Sequence, residues 1–400
     1  MQIAGIVAEY NPFHNGHVYQ IQKTRESGAT HIVAVMSGNY VQRGEPAILD
    51  KWSRTAAALR GGIDLILELP IPYVLSSAEN FARGAVEALH SMGCLDILSF
   101  GSECGDIRLL EKTANTINTP QVASQLKKYL SLGTTFARAR ENAVKDIYGQ
   151  AIADVLKSPN NILAIEYIKA LRVLNSKIVP LTIPRKGSGH DEQIISPEGF
   201  PSASLLRREI HAKDWNFLEQ NLPAESFLIL KKQVQEQKCP CTINQLENAV
   251  LAFLRRLQPC DYLKLADVNE GLENRLYRAV KSGVSLQDIM MKTKTKRYTL
   301  ARIRRILLSA FLEIPKEMQK QPVPYLRVLG FNRAGQEILK AAGKSAALPI
   351  LLKAKDAKQL SPQQRVFYEL ECRSTDLYTL AMPQTQECAW DMTKNTVRLF

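Results

Sequence analysis

Apolar residues in the first half of the chain form short continuous runs, separated by longer segments with helical periodicity. Short apolar runs bounded by turn residues are typical of strands buried on both faces of a parallel sheet. Such strands are predicted at residues 3–8, 31–36, 65–69, 97–100 and 178–183. Helices are predicted between them at residues 16–27, 50–61, 78–91, 109–145 and 161–174. This alternation indicates an α/β domain with a doubly wound parallel sheet.

The strand signals fade after about residue 215. The pattern there predicts helices at residues 224–235, 243–258, 272–282, 286–291, 299–312, 334–341 and 362–381, with breaks at Pro315, Pro322 and Pro324. A length of 400 residues suits about two domains. We therefore expect an α/β domain over residues 1–215 and a mostly α-helical domain over residues 216–400.

Charge and cysteine content narrow the class of protein. Lys and Arg outnumber Asp and Glu by 52 to 39, a net charge of +13, which favours a polyanionic partner, either nucleic acid or an anionic membrane surface. A generally basic soluble protein is the alternative. The apolar stretch at residues 63–69 is too short to span a membrane, and the N-terminus lacks the basic region of a signal peptide. We expect a cytoplasmic protein with free thiols and no metal site, since Cys239 and Cys241 form the only cysteine cluster.

The strongest chemical signal is Glu9-Tyr10-Asn11-Pro12-Phe13-His14-Asn15-Gly16-His17, which follows the first strand and opens the first helix. Helix N-termini carry unpaired N–H groups and a positive partial charge, so phosphates bind there. Gly16 permits close approach of the backbone to a phosphate, and the imidazoles of His14 and His17 can donate to phosphate oxygens. We predict that both histidines stabilise the charge that develops when the α-phosphate of ATP is attacked. Chance clustering at a strand–helix turn is the alternative.

Two further segments are candidates for the same site. Ser202 is a predicted N-cap, and with Ser204 and Arg207 it can face phosphates; an ordinary capped helix is the alternative. Gly101 ends the fourth strand, where ligands of doubly wound sheets bind, so adenine or ribose can lie against its backbone. A simple strand-terminating glycine is equally consistent with the sequence.

A loop between the second and third predicted strands carries further polar residues. Gln42, Arg43 and Glu45 are polar enough to face a substrate. Asp50, Lys51 and Arg54 follow the loop and are candidates to border an acyl or nucleoside site. A capped, solvent-facing helix start is the favoured interpretation of those three residues.

Basic residues concentrate in residues 292–305 with no acidic residue among them. They are Lys292, Lys294, Lys296, Arg297, Arg302, Arg304 and Arg305. The helix that follows has an apolar face at Ile303, Ile306 and Leu307, so its arginines are expected to emerge beside a buried stripe. We predict that this segment binds an RNA backbone and that Tyr298 stacks on a base. A solvated basic face or a membrane-surface helix is the alternative.

Taken in order, the motifs resemble a known family. "GIVAEYNPFHNGH", "VMSGNYVQRGEPAILDKWSRT", "DLILELP", "FGSE", "SPNNILAIEYIKAL", "IPRKGSGHD", "SASLLR", "KTKRYTLARIRRIL" and "PYLRVLGFNRAGQEIL" are similar to the bacterial tRNA(Met) cytidine acetate ligases, of the HxGH nucleotidyltransferase superfamily with its HUP-type fold. The resemblance extends over nearly the whole chain.

The resemblance implies an enzyme that makes acetyl-adenylate from acetate and ATP. It then transfers the acetyl group to N4 of the wobble cytidine of elongator tRNA(Met), with Mg²⁺ assisting the phosphate chemistry. The implied nucleotide site comprises Val7, Ala8, Glu9, Tyr10, Asn11, Pro12, Phe13, His14, Asn15, Gly16, His17, Gln20, Gly101, Asn161 and Arg185, with Ser202 and Ser204. Asn160 fits the motif as well as Asn161 does, and Lys186 is an alternative to Arg185. Another adenylyltransferase of the same fold, a non-catalytic RNA-binding protein and an acetyl-CoA-dependent acetyltransferase are the rival functions.

Overall fold

The computed structural model describes residues 1–186, 199–269 and 271–400, which are built around one mixed β-sheet. The strands are β1 (Ile3–Ala8), β2 (His31–Ser37), β3 (Tyr40–Val41), β4 (Glu45–Pro46), β5 (Leu65–Leu69), β6 (Ile97–Ser102), β7 (Val179–Pro184), β8 (Leu326–Asn332), β9 (Ile350–Leu351) and β10 (Val397–Leu399). The large sheet runs in the order β10-β8-β5-β2-β1-β6-β7, and β9 pairs with β8. β3 and β4 form a separate small hairpin.

The helices cover the sheet and form the remainder of the fold. In the first half they are α1 (Asn15–Glu26), α2 (Lys51–Arg60), α3 (Ile71–Val74), α4 (Ala78–His90), α5 (Ile107–Thr116), α6 (Pro120–Ser131), α7 (Phe136–Tyr148), α8 (Gln150–Val155) and α9 (Pro159–Val173). In the second half they are α10 (Ala203–Ala212), α11 (Trp215–Asn221), α12 (Ala224–Gln235), α13 (Ile243–Leu254), α14 (Pro259–Tyr262), α15 (Leu272–Ser282), α16 (Leu286–Thr293), α17 (Leu300–Phe311), α18 (Arg333–Ser345), α19 (Pro362–Tyr378) and α20 (Trp390–Thr393).

The five predicted strands are confirmed and form the parallel core of the sheet in the order β5-β2-β1-β6-β7. β2 and β5 are buried almost throughout, because helices cover both faces of a doubly wound sheet. The strand order reverses between β1 and β6, and the crevice beyond their carboxyl ends is the usual ligand site of such sheets. The fold therefore places the turn after β1 beside the end of β6.

The second half also contributes strands, which the sequence pattern did not predict. β8 pairs antiparallel with β5, and β9 and β10 extend the sheet from β8. The segment contains Arg327 and Gly330, which interrupt a strand-like apolar run. Arg327 is nevertheless buried, since it pairs with Glu68 at 3.2 Å and with Asp391 at 2.7 Å. Long-range partners thus made β8 a core strand.

Several helix predictions differ from the structure in detail: the helix predicted over residues 334–341 extends to Ser345, and the one predicted over residues 362–381 ends at Tyr378. The single helix predicted over residues 109–145 is instead α5, α6 and α7, with breaks before Pro120 and at Gly133, because proline and glycine end helices. The helix predicted over residues 243–258 ends at Leu254. Within the described ranges, no helix has the length and apolar character needed to cross a membrane.

Candidate active site

Two histidine rings stack at the N-terminus of α1. His14 is the N-cap residue, and its Nδ1 accepts the Gly16 N–H at 3.1 Å. His17 Nδ1 in turn accepts the His14 N–H at 3.1 Å, and the two ring centroids lie 3.8 Å apart. The predicted helix start and the shared side of both histidines are therefore confirmed.

These hydrogen bonds define which ring nitrogen carries the proton. Because both Nδ1 atoms accept, each neutral imidazole carries its proton on Nε2 and can donate from that atom. Burial lowers the pKa of His14 to about 3. Burial also lowers the pKa of His17 well below its ordinary value, and His14 and Arg185 act in the same direction. Both rings are thus neutral hydrogen-bond donors at physiological pH.

The histidines line a cavity of about 280 Å³ at the switch point of the sheet. Its lining includes Val7, Ala8, Glu9, Tyr10, Asn11, His14, Gly16, His17, Gln20, Gly101, Arg185, Ser202 and Arg207 from the predicted set. Pro12, Phe13 and Asn15 belong to the turn itself: Phe13 is buried, and its carbonyl accepts a hydrogen bond from Ser226. Most of the predicted nucleotide residues therefore meet around one space.

The start of α10 closes the cavity on one side. Ser202 is the N-cap, as predicted, with its hydroxyl accepting the Leu205 N–H at 3.2 Å. Arg207 donates to the Asn11 carbonyl at 2.8 Å and to the Ser204 hydroxyl at 3.2 Å. The bond to Asn11 attaches α10 to the turn after β1, and both Arg207 bonds hold its guanidinium at the cavity, where it can bind phosphate.

Asn160 and Asn161, which follow α8, have different roles. Asn161 is buried, and its Oδ1 accepts the N–H groups of Glu103 and Cys104 at 2.9 and 3.1 Å. Its side chain therefore stabilises the turn after β6. Asn160 lies on the cavity surface and donates to Glu103. Between the two alternatives left by the motif, the geometry favours Asn160 as the nucleotide contact.

The end of β7 supplies cations beside Gly101. A Cβ on Gly101 would lie 3.3 Å from Arg185 Cγ, so a larger residue would crowd that side chain. Arg185 and Lys186 both line the cavity, and Lys186 lies over the Tyr19 ring at 5.5 Å. The remainder of the motif "IPRKGSGHD" after Lys186 lies outside the described residues.

The polar loop before α2 forms another wall. Gln42, Arg43 and Glu45 line the cavity, and their contact with a substrate stays a prediction. The Gln42 N–H donates to Glu9 Oε1 at 2.7 Å. Burial raises the pKa of the Glu9 carboxyl, and this hydrogen bond and the charge of Arg207 oppose that shift.

Asp50, Lys51 and Arg54 stabilise the fold beneath that loop. Asp50 caps α2, as the favoured interpretation predicted. The expected solvent exposure is wrong, because all three side chains are buried. Lys51 pairs with Glu68 and Asp391, each at 2.7 Å, and Arg54 donates to the carbonyls of residues 9, 37, 38 and 49.

The cavity also has an apolar wall that the sequence did not indicate. Its members are Tyr19, Phe81, Phe100, Leu163, Tyr167 and Phe200. Phe100 and Tyr167 have ring centroids 5.7 Å apart. Phe81 and Tyr167 occupy ordinary apolar helix positions, so no local pattern distinguishes them from core residues. Asn160 and Lys186 had a signal, since each neighbours a predicted residue.

The basic segment 292–305 is less exposed than its composition implies. Lys292 pairs with Asp288 at 2.7 Å, and Arg302 donates to the Asp267 carbonyl and to Asn269, each at 3.1 Å. Arg305 lies 3.8 Å from Asp267, and Arg304 forms an ion pair with Glu45. Lys292, Lys294, Lys296 and Arg297 are exposed, and Arg302, Arg304 and Arg305 are only partly exposed.

Tyr298 does not have the exposure that base stacking requires. Its side chain is buried, and the Arg302 guanidinium covers its ring at 5.0 Å. The predicted apolar face of α17 is confirmed, since Ile303, Ile306 and Leu307 are buried. The base-stacking prediction for Tyr298 is therefore wrong, because the residue completes the packing beneath α17.

Comparison with known proteins gives a consistent result. The family described as HIGH Nucleotidyl Transferase matches residues 1–391. The chain is 42% identical over 405 residues to the tRNA(Met) cytidine acetate ligase of Thermoanaerobacter sp. (strain X514), covering 100% of both chains. The ligase of Caldanaerobacter subterraneus subsp. tengcongensis is 41% identical over 387 residues, covering 95% of this chain and 96% of the relative.

Solved structures agree over the whole length. Thermotoga maritima TmcAL in its apo form superposes with a TM-score of 0.94 at 32% identity, with 100% of both chains covered. The same protein bound to α-thio ATP gives a TM-score of 0.92 at 31% identity, again with full coverage. The HxGH turn, the cavity at the switch point and these full-length similarities lead to one conclusion: the chain belongs to the tRNA(Met) cytidine acetate ligase family of HIGH nucleotidyltransferases.

Proposed function

We propose that this protein is an ATP-dependent ligase that acetylates N4 of the wobble cytidine of elongator tRNA(Met) in the cytoplasm. The observation that carries the proposal is the pair of neutral, stacked histidines at the N-terminus of α1, inside a cavity at the switch point of the sheet. The family of the chain supports the choice of acceptor, since its relatives are named for tRNA(Met) cytidine.

The first step is the activation of acetate. An acetate oxygen attacks the α-phosphorus of ATP, the bond to the β-phosphate breaks, and acetyl-adenylate and pyrophosphate form. Negative charge grows on the phosphate oxygens during this step. The Nε2–H groups of His14 and His17, the N–H groups of the first turn of α1 and the guanidinium of Arg207 are placed to stabilise it.

Mg²⁺ would neutralise phosphate charge in this step. Among the residues the structure describes, no group of three or more His, Cys, Asp or Glu side chains could hold a metal. In nucleotide sites the ion is commonly held by phosphate oxygens, water and one or two carboxylates.

The second step transfers the acetyl group. The cytidine N4 attacks the acetyl carbon, the bond to AMP breaks, and N4 loses a proton. The lone pair of this amine is delocalised into the ring, so the amine is a weak nucleophile. Positioning of the base against the acetyl-adenylate must therefore supply much of the rate.

The tRNA would approach from the second half of the chain. Lys296 and Arg297 line a cleft of about 510 Å³ with Arg275 and Arg278. Lys294 is exposed next to it. A concentration of cations along one cleft fits the phosphate backbone of RNA. We therefore assign the tRNA-binding role to residues 216–400 and propose residues 294–297 as its centre, because Lys296 and Arg297 line that cleft and Lys294 is exposed.

The test is pyrophosphate exchange into ATP without tRNA, measured with and without acetate for the wild type and His14→Ala. Exchange that requires acetate and disappears in His14→Ala is the expected result. His31→Gln is the matched control, because His31 lies on β2 and contacts Thr30 and Glu337. Absence of acetate-driven exchange in the wild type, with or without tRNA, would contradict the proposal and favour another adenylyltransferase or a binding protein.

A further inference from the structure

The hairpin of β3 and β4, here called the 41–45 loop, forms one wall of the active-site cavity. Val41, Gln42, Arg43 and Glu45 all line that space. Tyr40 pairs with Pro46 and Val41 with Glu45, so the turn between the two short strands is tight. A two-stranded hairpin of this size is not stable on its own. Its position must therefore depend on contacts made on either side of it.

On its inner side the 41–45 loop is fixed by the catalytic domain. Glu9 Oε1 accepts the Gln42 N–H at 2.7 Å, and the Gln42 side chain donates to the Ser76 carbonyl at 3.1 Å. Glu9 belongs to the same turn as His14 and His17. Movement of the loop would consequently disturb the end of β1 as well as the wall of the cavity.

On its outer side the loop is fixed by α17, the helix of the basic segment. Gly44 has φ of +80°, which favours glycine. A Cβ there would lie 2.7 Å from the Arg305 backbone nitrogen and 2.9 Å from the Arg304 carbonyl carbon, so only glycine allows this approach. The Arg304 guanidinium completes the contact by pairing with the half-buried Glu45 carboxylate.

We propose that Arg304 is a positioning residue for the activation step, which it serves by holding Glu45 and the 41–45 loop in place from the tRNA side. This inference rests on the proposed function, because it assigns a role within acetyl-adenylate formation. Its physical basis is the arrangement of charges on both sides of Glu45. On one side, Arg304 forms an ion pair with Glu45. On the cavity side, the Glu45 carboxylate also stabilises the charge of Arg207.

Loss of Arg304 has a specific consequence in this arrangement. The Glu45 carboxylate loses its partner while it remains half-buried, and leaving a charge unpaired in such a place is costly. Both Glu45 and Arg207 line the cavity, and Glu45 already stabilises the Arg207 charge, so the freed carboxylate can move toward that guanidinium. That pairing would compete with the ATP phosphates for the same guanidinium. We therefore expect weaker ATP binding and slower exchange, although Arg304 itself does not line the cavity.

The decisive measurement is acetate-driven pyrophosphate exchange in the absence of tRNA. An arginine that only contacts RNA cannot change this reaction. For Arg304→Ala we expect kcat/KM for ATP to fall about tenfold, in line with coupling energies of contacting charged residues, and Arg304→Lys to recover part of the loss. Glu45→Gln combined with Arg304→Ala should be no worse than Arg304→Ala, because the unpaired carboxylate is then gone.

Arg60→Ala is the matched control. Arg60 forms an ion pair of 3.0 Å with Glu225, between α2 and α12, and does not line the cavity. This variant should exchange like the wild type. Thermal unfolding of each variant shows whether a loss of exchange activity reflects a loss of folded protein. If Arg304→Ala is unstable, Glu45→Gln is the second variant, because it disrupts the same ion pair.

Two outcomes separate the failures. If Arg304→Ala exchanges like the wild type and loses only acetyl transfer to tRNA, Arg304 is an RNA contact and the inference is overturned. If the wild type shows no acetate-driven exchange, the proposed function fails. In that case the dissociation constants for ATP of the wild type and Arg304→Ala are compared. Equal constants would overturn the inference about Arg304.

Discussion

The turn at residues 9–17 and the basic segment at residues 292–305 are the two regions that stand out most in the sequence, and the fold uses them differently. In the turn, His14 and His17 bond to neighbouring backbone groups and leave their Nε2 donors for the cavity. In the basic segment, Arg304 and Arg305 pair with Glu45 and Asp267, which are remote in sequence. Local hydrogen bonds thus leave the histidine donors available to a ligand. Ion pairs with acidic residues distant in sequence, by contrast, occupy arginines that would otherwise contribute to the charged surface.

The largest effect is expected from removing a histidine donor from the turn. His17→Ala should lower the rate of acetate-driven pyrophosphate exchange by about 10²–10³-fold, as loss of one preorganised donor to a developing oxyanion does. Exchange kinetics at saturating ATP measure the effect, with His31→Gln as control. A loss of less than threefold would mean that the stacked rings are structural.

The second prediction concerns the exposed part of the basic segment. Replacing Lys294, Lys296 and Arg297 together by Ala should weaken tRNA binding roughly tenfold or more and reduce the salt dependence of log Kd by about 2–3, as loss of three phosphate contacts requires. Filter binding at several salt concentrations measures both quantities. Replacing the exposed Lys353, Lys355 and Lys358 by Ala is the control, because it removes the same number of positive charges elsewhere on the surface. Equal effects of both triple variants would reduce the segment to a general charge contribution.

The neighbouring asparagines Asn160 and Asn161 are expected to differ in role. Asn161→Ala leaves the N–H groups of Glu103 and Cys104 without their acceptor, so the free energy of unfolding should fall by about 1–3 kcal/mol. Asn160→Ala should leave stability nearly unchanged and raise KM for ATP a few-fold. Denaturant unfolding and exchange kinetics on both variants test this division, and a reversed pattern would restore Asn161 as the nucleotide contact.

The smallest expected effect is on the pH dependence of stability. Burial holds the pKa of His14 at about 3 in the folded protein, whereas an unfolded histidine titrates near 6.5. The unfolded chain therefore binds the extra proton first, and the stabilisation present above about pH 6.5 is lost as the pH falls toward 3. Between pH 7 and pH 6 the loss should stay below about 1 kcal/mol for this residue. Denaturant unfolding of His14→Gln should show a flatter profile, and an unchanged profile would contradict the buried neutral state.

Much of the fold was predictable because its signals are local. The five parallel strands, the N-caps at Asp50 and Ser202 and the helix start at His14 follow from apolar runs and capping residues. The strand Leu326–Asn332 was missed, since Arg327 and Gly330 acquire their roles only against Glu68, Asp391 and Thr55.

The sequence by itself determined the chemistry of the site: two histidines and a glycine at a strand–helix turn, with serines and an arginine at a later helix start. The tertiary structure alone decided which neighbours share that site. Phe81 and Tyr167 join it, Lys51 and Arg54 are buried beneath it, and Arg304 reaches its wall through Glu45. The physical reason is that capping and backbone hydrogen bonds act within a few residues, whereas burial and ion pairing depend on segments that only folding brings together.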